Sequence, residues 1–162
     1  MVKLNLEDKI RQLALPIVES KSLEIWGIEI EKGKRTLVRI YIDCSLDLCT
    51  EIARQLSLAI DANDIFPDHS VLEVSSPGLS RRFFKLSQMQ NYINDTIEAK
   101  AIINDKRFNY KGILKQVNDK SFILSVNSED IEINWINVLR VKRVHIFEMP
   151  VKPGKKQVRR NK

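Results

Sequence analysis

The sequence predicts an α+β chain of two domains: a two-layer unit ordered helix–strand–strand–helix–strand, then a small β-barrel followed by a basic tail. Three observations carry that prediction. The first half holds two apolar faces at helical spacing together with three strand-like runs. The second half holds five short β segments in about 50 residues. Between them the stretch Val71–Phe84, VLEVSSPGLSRRFF, passes through a forced turn at Pro77-Gly78. The expected bounds are 1–82 for the first domain, 83–149 for the second and 150–162 for a mobile tail.

Each element has a local reason. Asn5 is placed to cap a first helix, with Asp8 three residues on. Leu6, Ile10, Leu13, Ala14, Ile17 and Val18 then make one apolar face. Pro16 lies inside that pattern and predicts a kink or an early end, because proline removes a backbone donor and clashes with the preceding turn. Lys21-Ser22 closes the helix. In the next run Trp26, Ile28 and Ile30 share one face and Glu29 and Glu31 the other. A short Lys32–Arg35 connection pairs it with the strand Thr36–Ile42 as a hairpin. Asp47 is expected to cap a second helix with the face Leu48, Ile52, Leu56, Ala59 and Ile60, ending at Asn63-Asp64. Val71–Val74 is the third strand. Two helices over one face of such a sheet make a workable two-layer domain.

After the turn, Ser87 is placed to cap a short helical segment. The β segments are Thr96–Ile102, Tyr110–Val117, Ser121–Val126, Glu129–Ile133 and Leu139–Ile146, with Asn104-Asp105 and Asn118-Asp119 as turn pairs. So many short strands suggest a closed barrel, which removes exposed edges. Gly112 inside a strand fits a bulge or a sharp bend. Trp135 reads as a core or lid residue ahead of a stacking platform.

Charge is distributed unevenly. Residues 1–80 hold 9 Lys/Arg against 13 Asp/Glu, a net of −4, whereas residues 81–162 hold 18 against 8, a net of +10. The asymmetry points to a polyanionic partner for the second half, nucleic acid first, against the plainer reading of a solubilising surface. Candidate binding residues are Ser75, Ser76, Arg81 and Arg82 at the turn, Lys142 and Arg143 on the last strand, and Lys152, Lys155, Lys156, Arg159 and Arg160 in the tail. No run of apolar residues approaches a membrane span, and the N-terminus lacks a signal-peptide core, so the cytoplasm is the expected compartment. Cys44 and Cys49 read as free, partly buried thiols.

Catalytic chemistry has little support. His69 and His145 have no patterned ligands beside them, and no phosphate loop or HExxH motif is present. Ser75-Ser76 sits in SSPG and not in a nucleophile elbow. Asp43 and Asp47 read as solvated or capping groups. No cofactor or metal is expected, and a metal-dependent hydrolase using Asp43, Asp47 or His69 is a distant reading. The turn is more specific. Pro77 sets φ near −65° and Gly78 accepts positive φ, as a type II turn requires. It leads into Arg81 and Arg82, which suit either phosphate recognition or a carboxylate clamp across the domain junction.

These residues resemble the bacterial ribosome maturation factor RimP family. The resemblance rests on LEVSSPGL at Leu72–Leu79 followed by Arg81, with LVRIYID at Leu37–Asp43, IARQLSLAIDAND at Ile52–Asp64 and Tyr110-Lys111-Gly112-Ile113-Leu114 in support. It implies that the C-terminal barrel is SH3-like or Sm-like, with Tyr110 and Gly112 in its opening hairpin and Pro77, Gly78 and Leu79 as the structural turn. It further implies a non-enzymatic factor that binds the immature small ribosomal subunit, meeting small-subunit rRNA and a ribosomal protein near the decoding region; the chain itself is expected to be a monomer. A general Sm-like RNA-binding or regulatory module is the alternative. The chain departs from the family pattern at Ser80, Arg82 and Phe83, and at Ser22 and Asn94, where the family commonly has glycine.

Overall fold

The computed structural model describes residues 4–146. Helix α1 (Leu6–Glu19) starts as its sequence dictates: Asn5 Oδ1 accepts from the Asp8 amide at 2.9 Å, and Asp8 Oδ2 accepts from the Asn5 amide at 3.3 Å. Ile10, Ala14 and Val18 are fully buried. Pro16 does not end the helix, which runs on to Glu19. Its missing donor falls in the last turn, where few helical bonds remain to be lost, and the buried Val18 holds that turn down. Ser22 then reverses the chain at φ 57°, and the Leu23 amide donates to Val18 O at 3.2 Å. Asn94 sits at φ 76°. Ser22 and Asn94, the two positions at which the resemblance leads to an expectation of glycine, therefore both hold left-handed backbone, which Ser and Asn supply here.

Strands β1 (Ile25–Lys32), β2 (Thr36–Ile42) and β3 (Ser70–Ser75) form a sheet in that order, β1 antiparallel and β3 parallel to β2. Helix α2 (Leu46–Ala62) makes the crossover. Its cap is Ser45, not Asp47: Ser45 has extended backbone and its Oγ accepts from the Leu48 amide at 3.4 Å. Asp47 lies inside the first turn, where its charge favours the positive helix end. Ile52, Leu56 and Ile60 from α2 join Ile10, Ala14, Val18, Ile28, Val38, Ile40 and Ile42 in one core.

The expected alternation of β1 breaks at a bulge. Ile25 pairs with Ile42 but Gly27 pairs with Tyr41, so Trp26 is the extra residue. Ile25, Ile28 and Ile30 face the first core, whereas Trp26 packs on the second. A bulge re-aims one side chain in this way.

The second core is built by β4 (Arg82–Phe83), β5 (Thr96–Ile103), β6 (Lys106–Val117), β7 (Ser121–Val126), β8 (Glu129–Asn134) and β9 (Val138–Arg143), with 3-10 turns at Leu86–Tyr92 and Trp135–Asn137. Ser87 lies inside the first of these turns, not at its cap. β6 begins four residues earlier than its apolar pattern, at Lys106, because Asn104 and Asp105 at φ 51° and 61° let the hairpin pair down to its tip. Asn127-Ser128, at φ 51° and 70°, makes a second such turn. Trp135 packs on the core, edge-on to Phe122 at 6.4 Å between centroids. Tyr110 packs there too. Gly112 marks a close backbone approach: a Cβ would stand 2.2 Å from Ser125 O.

The SH3-like, Sm-like barrel does not form. The six strands make an open antiparallel sheet, β4-β9-β5-β6-β7-β8, and β8 does not pair back to β4. The reason is local. Beyond Phe83 the amides that would lengthen β4 are taken by a side chain: Phe84 N and Lys85 N donate to Gln88 Oε1 at 2.8 and 3.1 Å. β4 therefore stops at two residues. A groove of about 530 Å³, lined by Phe84 and Leu86 on one side and Trp135 and Ile136 on the other, lies where closure would have been.

Candidate functional site

The turn after β3 has the conformation its residues demand. Gly78 is at φ 68°, and Pro77 before it is buried. Ser76 Oγ accepts from the Gly78 amide at 3.5 Å, and Ser75 Oγ donates to Ser76 O at 3.4 Å. Ser76, Gly78, Leu79 and Ser80 are exposed, Leu79 by 54%. Ser80 Oγ accepts from the His145 amide at 3.4 Å, tying the turn to the chain that leaves β9.

Arg81 and Arg82 turn inward from this exposed tip. Arg81 is 15% exposed in its side chain. Its Nη1 donates to Asp43 Oδ2 and to the Tyr92 hydroxyl, each at 3.0 Å, and its Nε donates to Gly78 O at 3.0 Å. The same guanidinium lies over the rings of Trp26 and Tyr92, 5.0 and 5.8 Å from their centroids. Arg82 Nη1 meets Glu29 Oε1, and its guanidinium lies 4.9 Å above the Phe84 ring. Arg82 Nε, buried beside them, has no hydrogen-bond partner among the described residues.

Glu29 is the hub of a wider network. Its carboxylate also accepts from the Tyr41 hydroxyl at 3.2 Å and lies 3.6 Å from Arg39. Arg39 reaches Glu73 at 3.1 Å and Glu31 at 3.6 Å. Burial works against the charge on Arg39, but hydrogen bonds to Tyr41 and Glu73 outweigh it, so its pKa is raised. These contacts link the first sheet to β4.

Aromatic packing completes the junction. Trp26 Nε1 donates to Arg82 O at 2.7 Å, and Gln88 Nε2 donates to Trp26 O at 2.6 Å. The Phe84 ring lies on Gly27, where a Cβ would stand 2.1 Å from it, and 5.6 Å from the Tyr41 ring. Arg143 pairs with Asp95 at 2.6 Å and stands over Tyr92 at 5.4 Å. Trp26, Glu29, Asp43, Phe84, Gln88 and Tyr92 were not singled out as junction residues by sequence reasoning. Their partners lie up to 62 residues away, and only the bulge at Trp26 had a local cause.

The remaining candidates fall in different places. Lys142 is on the outer face of β9, 3.6 Å from Glu98. Lys152, Lys155, Lys156, Arg159 and Arg160, with the tail assigned to 150–162, lie outside the described residues. Among the described residues no group of three or more His, Cys, Asp or Glu is arranged to hold a metal ion, and no helix is long and apolar enough to cross a membrane. Cys44 and Cys49 are free thiols with Sγ atoms 3.0 Å apart. Burial, with the hydrogen bond to Cys49 second, pushes the Cys44 thiol up to about 12.

Comparison with known proteins covers almost the whole chain. A family model described as the RimP N-terminal domain matches residues 13–80. The ribosome maturation factor RimP of Nitratidesulfovibrio vulgaris (strain DP4) is 33% identical, over 93% of this chain and 96% of the relative. That of Desulfovibrio desulfuricans is 30% identical, over 93% and 84%. That of Lawsonia intracellularis is 28% identical, over 90% of each.

Proposed function

Because the chain belongs to the RimP family of ribosome maturation factors, we propose that it binds the immature small (30S) ribosomal subunit and assists its assembly by binding, without catalysis. The observation that carries this reading is the near full-length match to proteins named as maturation factors. The net charge of +10 in the second half supports it, since a polyanionic particle is the partner such a charge suits. The partners are small-subunit rRNA and a ribosomal protein near the decoding region, met by a monomer in the cytoplasm.

The mechanism follows from population shift. A factor that binds the immature arrangement more tightly than the mature one stabilises the former and leaves as the latter forms. In this reading the junction residues hold the two sheets in one relative placement, so that contacts made by each are offered together. Lys142 and the basic tail contribute charge, and Arg81 and Arg82 act chiefly as clamps. Sedimentation of lysate containing tagged protein tests the proposal. Co-migration with free small subunits, and a small-subunit defect on deletion, are the expected results. Absence of both overturns it.

A further inference from the structure

The outer face of β9–β5–β6 carries a group of cations that no carboxylate among the described residues neutralises. Ile97, Ala99 and Ala101 of β5 are fully buried, so Glu98, Lys100 and Ile102 point away from the core. Register then sets their neighbours. Lys100 lies between Asn109 of β6 and Arg140 of β9, Glu98 lies between Lys111 and Lys142, and Ile102 faces Arg107. Lys100, Arg107, Lys111 and Arg140 are all exposed, and none pairs with a carboxylate among the described residues. Among the described residues of these three strands Glu98 is the acid on this face, and it is already engaged with Lys142 at 3.6 Å. A groove of about 190 Å³, lined by Lys100, Ala101, Arg107, Phe108, Asn109 and Leu139, lies towards the β5–β6 hairpin end of these strands.

Like charges directly opposite across a ladder destabilise a sheet, and Lys100 stands opposite Arg140 with no acid between them. The cost is removed when an external anion bridges them. Pleated strands space such cations roughly 4.8 Å across the sheet and about 6.6 Å along it, a grid that suits the repeated phosphates of a nucleic-acid backbone. The face presents few rings: Tyr110 packs on the second core, and Phe108, which lines the groove, is stacked on Tyr110 at 5.8 Å between centroids. With that one ring already stacked on a neighbour and the rest of the face cationic, the surface suits the backbone of folded RNA ahead of a run of unpaired bases.

We infer that the outer face of β9–β5–β6, through Lys100, Arg107, Lys111 and Arg140, is a docking surface for the phosphate backbone of structured RNA. This rests on the reading of the chain as a small-subunit maturation factor and adds a place for the RNA. The acidic strand β8, with Glu129, Asp130 and Glu132, limits the surface on one side. The junction arginines limit it on the other, because their donors are already taken.

The test uses the full chain and a protein-free transcript of a folded small-subunit rRNA domain, with binding followed by fluorescence anisotropy over a salt series. The variant carrying Lys100→Gln, Arg107→Gln, Lys111→Gln and Arg140→Gln is compared with a control that removes the same charge from exposed positions elsewhere: Lys32→Gln, Lys34→Gln, Arg35→Gln and Arg54→Gln. The face variant is expected to lose on the order of tenfold or more in affinity, and about 3 in the slope of log K against log salt, while the control keeps most of both. The variant carrying Lys100→Arg and Lys111→Arg is expected to retain binding. Equal losses in the two variants, or an unchanged slope in the face variant, overturn the proposal. So does polyglutamate competing for the wild type as well as it does for the face variant's residual binding, which would assign the face to no particular polyanion. Co-sedimentation with small subunits is scored separately, so failure of the maturation-factor reading is seen in the wild type and failure of the face is seen in the RNA titration.

Discussion

Two groups of basic side chains in this chain have opposite surroundings. At the junction of the two sheets, Arg39, Arg81, Arg82 and Arg143 each meet a carboxylate, and three of the four also lie over an aromatic ring. On the outer face of β9–β5–β6, Lys100, Arg107, Lys111 and Arg140 meet none among the described residues. The first group is spent inside the molecule and orders it. The second is left for something outside. A net charge read from composition adds the two together, although a cation already paired with a carboxylate has less to gain from a polyanion than an unpaired one. The lesson is that a basic pair beside a rigid turn is as much a device for joining domains as for holding phosphate.

The largest effect on stability is expected at Trp26. Trp26→Ala removes a ring that packs on the second core from a strand of the first, together with its hydrogen bond to Arg82 O. A loss of about 2–4 kcal/mol is expected in urea unfolding, the low part of the range for a large aromatic because the ring is not fully buried. Arg82→Met follows, at about 1–3 kcal/mol, since it leaves Glu29, 13% exposed, without its closest cation while Arg39 still stands 3.6 Å away. In both variants the salt slope of RNA binding should stay as in the wild type. A slope that falls by about 1 in Arg82→Met would return Arg82 to the group that faces the particle.

Much of the fold was legible because it is local. The capping box at Asn5, both helix faces, the Lys32–Arg35 hairpin and the left-handed Gly78 all follow from residues within a few positions of one another. What was not legible depended on distance or on one side chain. The sheet stays open because Gln88 occupies the two amides that follow β4, and no periodicity in the β segments reports that. Ser45 caps α2 ahead of Asp47 because either residue type suits the position and only backbone geometry chooses between them. The partners of Arg81 and Arg82 lie 38 and 53 residues away, so the sequence left phosphate and clamp equally open. The cations of the outer face were present in the sequence as scattered lysines and arginines. Only the strand register places them side by side.

The smallest expected effect sharpens what kind of tie Arg81 is. Asp43 is 60% exposed while Arg81 is 15% exposed, so solvent and salt screen the carboxylate end of the pair. Asp43→Asn should cost only about 0.5 kcal/mol, and the cost should shrink as salt is added. Arg81→Ala loses more: the same ion pair, the bond to Gly78 O, the Tyr92 hydroxyl contact and the faces of two rings, for about 1.5–3 kcal/mol. The excess should persist at high salt, because packing on Trp26 and Tyr92 does not depend on ionic screening. A double-mutant cycle measures the pair term directly. A coupling near the whole cost of Arg81→Ala would make the ion pair the tie between the sheets. A coupling of a few tenths would assign that work to the guanidinium held between Trp26 and Tyr92, and would explain why an arginine, whose flat fork packs on rings, stands after the turn where a lysine would keep the charge and lose the contact.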